Sequence, residues 1–234
     1  MSIRNIVVTG ATSGIGKEIT KTLLDLGYNV AFCGRSKDKM QRLINDLPCS
    51  CNYMYSTFDL TNEEEVDRFV DKAVTLFGHI DVLINCAGAN SSRSSVSDLK
   101  TSDLLNMINI NLVAPFTLMR EVYNKSMRER KSGIIINILS TVCNFSNEGI
   151  GAYTASKTGF DGLLKVFRKE VRENNIKVCS VYPGGVDTPF RDVSRPLYLK
   201  PETVANAVIS ILDYDDNACI DELTIRPMVE KNYC

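Results

Sequence analysis

Short apolar runs alternate with longer stretches of helical periodicity along the chain. The runs are rich in Val and Ile, and several, such as NIVVT and DVLIN, are apolar at consecutive positions. That pattern is typical of strands in a parallel sheet that is covered on both faces. The runs predict seven strands, at Asn5–Thr9, Asn29–Cys33, Cys51–Phe58, Asp81–Asn85, Gly133–Leu139, Lys177–Tyr182 and Cys219–Ile225.

The stretches between these runs predict amphipathic helices. Apolar residues recur at helical spacing in segments 15–26 and 160–171, so that each helix has one apolar face. Alternating strands and helices predict an α/β fold, namely a doubly wound, Rossmann-type arrangement with a seven-stranded parallel sheet flanked by helices on both faces. A length of 234 residues fits one large domain over residues 1–234.

Composition and charge exclude several function classes. The 27 Lys and Arg residues balance 28 Asp and Glu, and a net charge of −1 provides no field to attract nucleic acid or anionic lipid. No apolar run approaches the roughly 18 to 20 residues of a membrane span, and the chain opens on a strand-like run without an export-signal pattern. We therefore expect a cytoplasmic protein with no nucleic-acid or membrane partner.

The eight cysteines do not indicate a disulfide framework or a metal site. Disulfide frameworks are typical of short secreted chains, which this one does not resemble in length or opening sequence. Cys49 and Cys51 form a C-x-C pair, but no second pair follows at zinc-ligand spacing and His79 is the only histidine. We expect reduced thiols and no bound metal.

The first predicted strand leads directly into the segment TGATSGIG, Thr9–Gly16, and then into a helix. Gly10 permits a tight turn, Gly14 lets the backbone approach a pyrophosphate, and Gly16 lets the helix pack close to the sheet. The spacing matches neither G-x-G-x-x-G nor a P-loop. The context predicts a dinucleotide-binding loop with phosphates at the helix N-terminus, while a glycine-rich turn without a ligand stays an alternative.

The end of the second predicted strand carries a cation where an NAD-binding protein has an acid. The chain reads Cys33, Gly34, Arg35, Ser36, with no Asp or Glu to bind a ribose 2′-hydroxyl. The forked guanidinium of Arg35 suits a 2′-phosphate, so we predict NADP(H) in preference to NAD(H). The alternative is an arginine that points into solvent.

Tyr153 and Lys157 are four residues apart at the start of a predicted helix and share one face. A phenol is a weak acid at neutral pH, but a neighbouring ammonium favours the phenolate and brings the tyrosine pKa toward the working pH. Ser140 follows the fifth strand at the sheet edge where ligands bind, with a hydroxyl suited to a substrate oxygen. The Tyr–Lys spacing alone also fits a pair that only packs.

Together these segments resemble the short-chain dehydrogenase/reductase family over nearly the whole chain. TGATSGIG resembles its T-G-x-x-x-G-x-G loop, and NCAG, Asn85–Gly88, resembles its N-N-A-G segment with Cys86 replacing the second Asn. FDL, Phe58–Leu60, resembles the segment that places Asp59 against adenine. YPGGVDTP, Tyr182–Pro189, is similar to the segment that closes over nicotinamide, and Ser140 precedes the Tyr-x-x-x-Lys motif as in the family.

The resemblance implies reversible hydride transfer between nicotinamide and a carbonyl or secondary alcohol of a small substrate. Tyr153 would donate the proton, Ser140 would orient the substrate oxygen, and Lys157 would bind the nicotinamide ribose. Asn111 would hold a relay water, although Asn109 and Asn106 lie nearby. The implied cofactor contacts are Gly10, Thr12, Ser13, Gly14, Ile15, Gly16, Arg35, Asp59, Leu60, Asn85, Ala87, Gly88, Tyr153, Lys157, Pro183, Gly184, Val186 and Thr188.

The family resemblance further implies a homodimer or homotetramer, paired through the segments Ser102–Arg130 and Tyr153–Glu173. Two other functions remain open for the same fold. One is a catalytically idle nucleotide-sensing module, and the other is an isomerase or epimerase that retains its cofactor.

Three further segments carry expectations of their own. Pro115 lies four residues after Asn111 and has no N–H to bond its carbonyl, so we predict a distorted helix at Asn111 with a carbonyl free to hold the relay water. The alternative is a helix break of purely structural origin. The Ser-rich segment Ala89–Asp98 predicts a solvated loop, which by its place after the fourth strand would also border the ligand crevice. Only about a dozen residues separate Pro189 from the helix predicted near Pro201, which predicts a short substrate lid. Its apolar residues Phe190, Leu197, Tyr198 and Leu199 would contact the substrate. Arg191 and Arg195 would either bind a carboxylate or phosphate of the substrate or point into solvent.

Overall fold

Seven parallel strands form one sheet in the structure, a computed structural model that describes residues 4–48, 51–190 and 193–231. The strands are β1 (Asn5–Thr9), β2 (Asn29–Gly34), β3 (Tyr53–Thr57), β4 (Val82–Asn85), β5 (Gly133–Ile138), β6 (Ile176–Pro183) and β7 (Glu222–Ile225). Their order is β3-β2-β1-β4-β5-β6-β7. The predicted Rossmann-type sheet is confirmed, with β3 and β7 shorter than expected.

Two apolar cores cover the two faces of this sheet. In β1, Ile6 and Val8 face one core while Val7 faces the other, and all three are completely buried. Successive strand residues point to opposite faces, so a strand that is buried on both faces is apolar at consecutive positions through its centre. This is why the strand runs lack the alternation that a half-exposed sheet shows.

Helices pack on both faces, as the alternating pattern predicts. The helices are α1 (Gly14–Asp25), α2 (Lys37–Asn45), α3 (Glu63–Phe77), α4 (Thr101–Ile108), α5 (Ala114–Val122), α6 (Arg128–Arg130), α7 (Gly151–Val171) and α8 (Pro201–Ile209). Helices α1, α2 and α8 contribute to one core, and α3, α5 and α7 contribute to the other. Within the described ranges, no helix combines the length and the apolar character that a bilayer crossing requires.

A π-helical turn, Asn109–Val113, joins α4 to α5. The N–H of Ala114 donates to the carbonyl of Asn109, one residue further back than in an α-helix. Pro115 sits in the first turn of α5 and has no N–H to complete the normal bond to Asn111. The distortion predicted at Asn111 is therefore present and takes the form of a π turn.

Candidate active site

A crevice of about 1090 Å³ opens at the carboxyl ends of β1, β4, β5 and β6. The strand order reverses here, which is where open α/β sheets bind ligands. The volume slightly exceeds the roughly 300–1,000 Å³ of single-ligand pockets, so it has room for a dinucleotide and a small substrate. The predicted residues that line the crevice are Gly10, Ser13, Gly14, Ile15, Gly16, Arg35, Ala87, Gly88, Ser140, Tyr153, Lys157, Pro183, Gly184, Val186 and Thr188.

The glycine loop Thr9–Gly16 forms the floor of the crevice, and three of its five lining residues are glycines. Thr9 Oγ1 accepts hydrogen bonds from the backbone N–H groups of Cys86, at 3.1 Å, and Ala87, at 3.0 Å. Gly10 has a φ of +67°, and a Cβ there would lie only 2.9 Å from Ala87 Cα. A Cβ on Gly16 would meet the carbonyl oxygen of Gly10. Glycine is therefore required at both positions by close approach of the backbone.

The N-terminus of α1 fits a phosphate group. Ser13 precedes this helix, but its side chain does not cap it, and the first turn contains no acidic residue. The N–H groups of a first helical turn have no partner within the helix and carry the positive end of its dipole. Gly14, Ile15 and Gly16 line the crevice at this point, so the loop matches the pyrophosphate of a dinucleotide.

Two cations stand where β2 ends. Arg35 borders the crevice as predicted, and Lys39, which was not predicted, borders it as well. Ser36 caps α2 by accepting a hydrogen bond from the backbone N–H of Lys39, and this cap places the lysine in the first helical turn. Both side chains are exposed, which suits the solvent-facing phosphate of an NADP-type cofactor.

Asp59 and Leu60 lie outside the wall of the crevice. Oδ1 of Asp59 accepts hydrogen bonds from the backbone N–H of Thr61, at 3.0 Å, and from its hydroxyl, at 2.8 Å. The bond from the Thr61 N–H, supported by the positive charge of Arg35, holds the pKa of Asp59 below its usual value. Leu60 packs into the core. In the structure Asp59 stabilises a turn near Arg35, and its predicted contact with adenine stays a prediction.

Thr12 and Asn85 also lie behind the crevice wall. A Cβ on Gly34 would lie 2.6 Å from Thr12 Cγ2, so Thr12 packs against the end of β2. Asn85 is buried, and its Nδ2 donates to Asn137 Oδ1 at 3.0 Å and to the Pro115 carbonyl at 3.3 Å. These two side chains support the elements that form the site.

Tyr153, Lys157 and Ser140 all line the crevice, so the structure brings these three predicted residues together. Tyr153 is 8% exposed and Lys157 is 5% exposed, and both project from the first two turns of α7. Lys157 Nζ donates to the Ile138 carbonyl at the end of β5, at 2.9 Å. Burial lowers the pKa of Lys157 to about 8. Ser140 begins the turn that follows β5, where its Oγ accepts a hydrogen bond from the Val142 N–H.

Asn111 is the asparagine of the π turn that reaches the site region. It is completely buried, whereas Asn106 and Asn109 are exposed. Its Oδ1 accepts from the Ala89 N–H, and its Nδ2 donates to the Ala89 carbonyl, both at 2.9 Å. A Cβ on Gly88 would lie 2.9 Å from Asn111 Oδ1 and 3.4 Å from Lys157 Nζ. Asn111 and Lys157 therefore approach each other across the NCAG segment.

The lid end of the crevice contains two residues expected to offer apolar surface, Phe190 and Tyr198, and one that was not expected, Val229. Phe190 packs its ring 6.1 Å from that of Tyr153, and Tyr198 and Val229 complete an apolar wall. The short lid thus contributes aromatic surface. Of its two arginines, Arg195 is exposed and does not line the crevice, and Arg191 lies outside the described residues. Asn90, Ser91 and Arg93 of the Ser-rich loop border the crevice, so this loop is more than a solvated connection.

Comparison with known proteins agrees with this geometry. Residues 4–197 match the short chain dehydrogenase family. The chain is 32% identical over 228 residues to an uncharacterized oxidoreductase from Staphylococcus haemolyticus, which covers 96% of this chain and 97% of the relative. Serine dehydrogenase from Escherichia coli superimposes with a TM-score of 0.86 at 26% identity, covering 97% and 99% of the two chains. A metagenomic short-chain oxidoreductase in complex with NADP superimposes with a TM-score of 0.85 at 28% identity, covering 97% and 98%. The chain belongs to the short-chain dehydrogenase/reductase family of oxidoreductases.

Proposed function

We propose that this protein is an NADP(H)-dependent oxidoreductase that interconverts a carbonyl and a secondary alcohol of a small substrate. The observation that carries the proposal is the position of Tyr153 beside the buried Lys157, on a wall of the crevice whose floor is the glycine loop. The same crevice therefore contains a phosphate-binding backbone and a proton-donating group. A nucleotide-binding module without catalysis has no need for the second feature.

The cofactor would be held along the carboxyl edge of the sheet. The bare backbone at Gly10 and Gly16 and the uncapped start of α1 suit a pyrophosphate. Arg35 and Lys39 provide two positive charges at the end of β2, where a 2′-phosphate would lie. The solved relative with bound NADP supports the same choice. When bound, such a cofactor supplies or accepts a hydride.

Tyr153 is the group that would move a proton to or from the substrate oxygen. Positive charge on Lys157 stabilises the phenolate that forms when Tyr153 gives up its proton, and burial strengthens this interaction because little water screens it. With a pKa of about 8, Lys157 is still mostly charged at neutral pH. Its bond to the Ile138 carbonyl keeps the ammonium on this wall of the crevice.

Ser140 and Asn111 would assist Tyr153 and Lys157 in the proposed reaction. Ser140 lines the crevice together with Tyr153, and its hydroxyl is suited to hold a substrate oxygen for protonation. Asn111 lies behind the crevice wall, and its Oδ1 and Lys157 Nζ both lie close to Gly88. We assign it the support of a proton path that ends at the lysine, consistent with the role that the family resemblance implies.

A panel of small carbonyl compounds, monitored by loss of NADPH absorbance, tests this function. Net NADPH consumption with at least one ketone or aldehyde, together with formation of the alcohol, is expected. Product formation without net NADPH consumption would instead indicate an isomerase or epimerase. Tight NADPH binding with no turnover of any compound in the panel would indicate a sensing module, and would contradict the proposal.

A further inference from the structure

The residues after β7 return to the crevice. The last residue pair of the sheet is Pro183 with Ile225, and the Gly184 N–H donates to the Ile225 carbonyl at 2.8 Å. The chain then turns, with the Glu230 N–H donating to the Pro227 carbonyl at 3.1 Å. As a result Val229, Glu230 and Lys231 line the crevice beside the cofactor-side turn, Pro183–Gly185.

Glu230 binds this turn directly. The Gly185 N–H donates to Glu230 Oε1 at 2.6 Å, a hydrogen bond to a charged acceptor. The carboxylate also fills the space next to Gly184, where a Cβ would meet it. Only 16% of the Glu230 side chain is exposed, so the carboxylate is packed into the structure.

Arg226 extends the contact to a second segment of the site. Its Nη1 lies 3.8 Å from Glu230 Oε2, and its guanidinium carbon lies 4.9 Å from the centre of the Phe145 ring. The Phe145 N–H donates to the Thr141 carbonyl at 2.9 Å, in the turn that starts at Ser140. With 15% exposure, Arg226 is nearly as buried as its partner. The pair thus connects the cofactor-side turn to the segment of the proposed catalytic serine.

We propose that Arg226 and Glu230 are positioning residues that set the width of the crevice at its substrate end. The ion pair holds the Pro183–Gly185 turn through Glu230 and the segment after Ser140 through Arg226 stacked on Phe145. Both members of the pair are needed, because Glu230 binds the Pro183–Gly185 turn and Arg226 packs over Phe145 in the other segment. The kinetic part of this proposal rests on the function proposed above, while its structural part does not.

Hydrogen exchange of the backbone amides in segment 183–186 tests the structural part without any turnover. Glu230→Ala removes the acceptor of the Gly185 N–H, and we expect exchange of this amide to quicken about tenfold or more. Glu230→Gln retains an acceptor oxygen without the charge, and its exchange should stay within a few-fold of the original protein. Glu202→Ala, an exposed position on α8, is the matched control and should change nothing.

Steady-state kinetics with a carbonyl substrate that the enzyme accepts tests the kinetic part of the proposal. We expect Glu230→Ala and Arg226→Lys to raise the substrate KM about tenfold while kcat changes less than about threefold, because positioning is lost and the proton donor stays. Unchanged exchange of the Gly185 amide in Glu230→Ala would overturn the proposal that Glu230 holds the Pro183–Gly185 turn, even if the protein proves to be a reductase. Faster amide exchange with an unchanged substrate KM in both variants would overturn the proposal that the Arg226–Glu230 pair sets the width of the crevice at its substrate end. If no carbonyl compound is reduced, the proposed function fails and the exchange result still decides the structural contact.

Discussion

Replacing the buried lysine by an uncharged residue should change how protein stability depends on pH. Lys157 is 5% exposed, and its burial lowers its pKa from 10.5 to about 8. Below pH 8 the residue is charged in both states, and the folded protein bears a desolvation cost of about 3 kcal/mol, which follows from the difference between the two pKa values.

The sign of the pH dependence follows from proton binding. Between pH 8 and 10.5 the unfolded lysine holds its proton while the folded one loses it, so the stability of the original protein rises with pH. The Lys157→Met variant lacks this pH-dependent contribution to the unfolding free energy. Relative to the original protein, the variant should therefore lose about 2 kcal/mol of unfolding free energy between pH 7 and pH 9.5. The loss of the bond to the Ile138 carbonyl adds a cost that does not vary with pH.

Urea unfolding of the cofactor-free protein, followed by circular dichroism at several pH values, measures this difference. Lys165→Met is the matched control, because Lys165 is half exposed and its contact with Asp161 raises its pKa. A raised pKa leaves that lysine charged in both states over this range, so the control difference should be constant. A constant difference for Lys157→Met as well would refute the desolvation argument.

Three shorter predictions concern the other parts of the site. Arg35→Asp should raise the Kd for NADPH about tenfold or more and leave that for NADH nearly unchanged in fluorescence titrations, and equal weakening of both would exclude a 2′-phosphate contact. Gly16→Ala should lower the unfolding free energy by about 1–3 kcal/mol, because the new Cβ meets the Gly10 carbonyl; an unchanged urea midpoint would show that the loop can relax. Asn111→Ala should reduce kcat at least about tenfold while Asn109→Ala changes it less than about twofold, and the reverse order would assign the wrong asparagine.

The strands were predictable from the sequence because burial on both faces leaves a strong local signal. The central residues Ile6, Val7 and Val8 must be apolar because they face the two cores in turn, and the observed strand Asn5–Thr9 has the predicted bounds. At the edges this constraint is weaker, and Tyr53–Thr57 and Glu222–Ile225 are only partly buried or exposed. The predicted bounds fail there because half-exposed strands carry a less distinct pattern.

The helix distortion at Asn111 was predictable because it depends on the chemistry of a single residue, Pro115. The missing N–H is a covalent property of proline, and the helix accommodates it with the π turn Asn109–Val113. The same turn separates buried Asn111 from exposed Asn109, which the sequence alone left open.

Contacts between distant segments were not predictable. Glu230 reaches Gly185 only because β7 pairs with β6, and Phe190 reaches Tyr153 only through the folded lid. Lys39 looks like an ordinary surface lysine of a helix until the cap at Ser36 places it beside Arg35. Such residues carry no spacing that distinguishes them from solvent-exposed ones.

The proposal that Tyr153 transfers the proton is tested most directly by comparing Tyr153→Phe with Tyr214→Phe. Tyr214 is exposed and outside the crevice, so it controls for the loss of a phenol. We predict that Tyr153→Phe lowers kcat/KM for the carbonyl substrate about 10²–10⁴-fold with the NADPH Kd changed less than about threefold, while Tyr214→Phe is unaffected. A Tyr153→Phe enzyme that binds NADPH and reduces its substrate at the original rate would contradict the account.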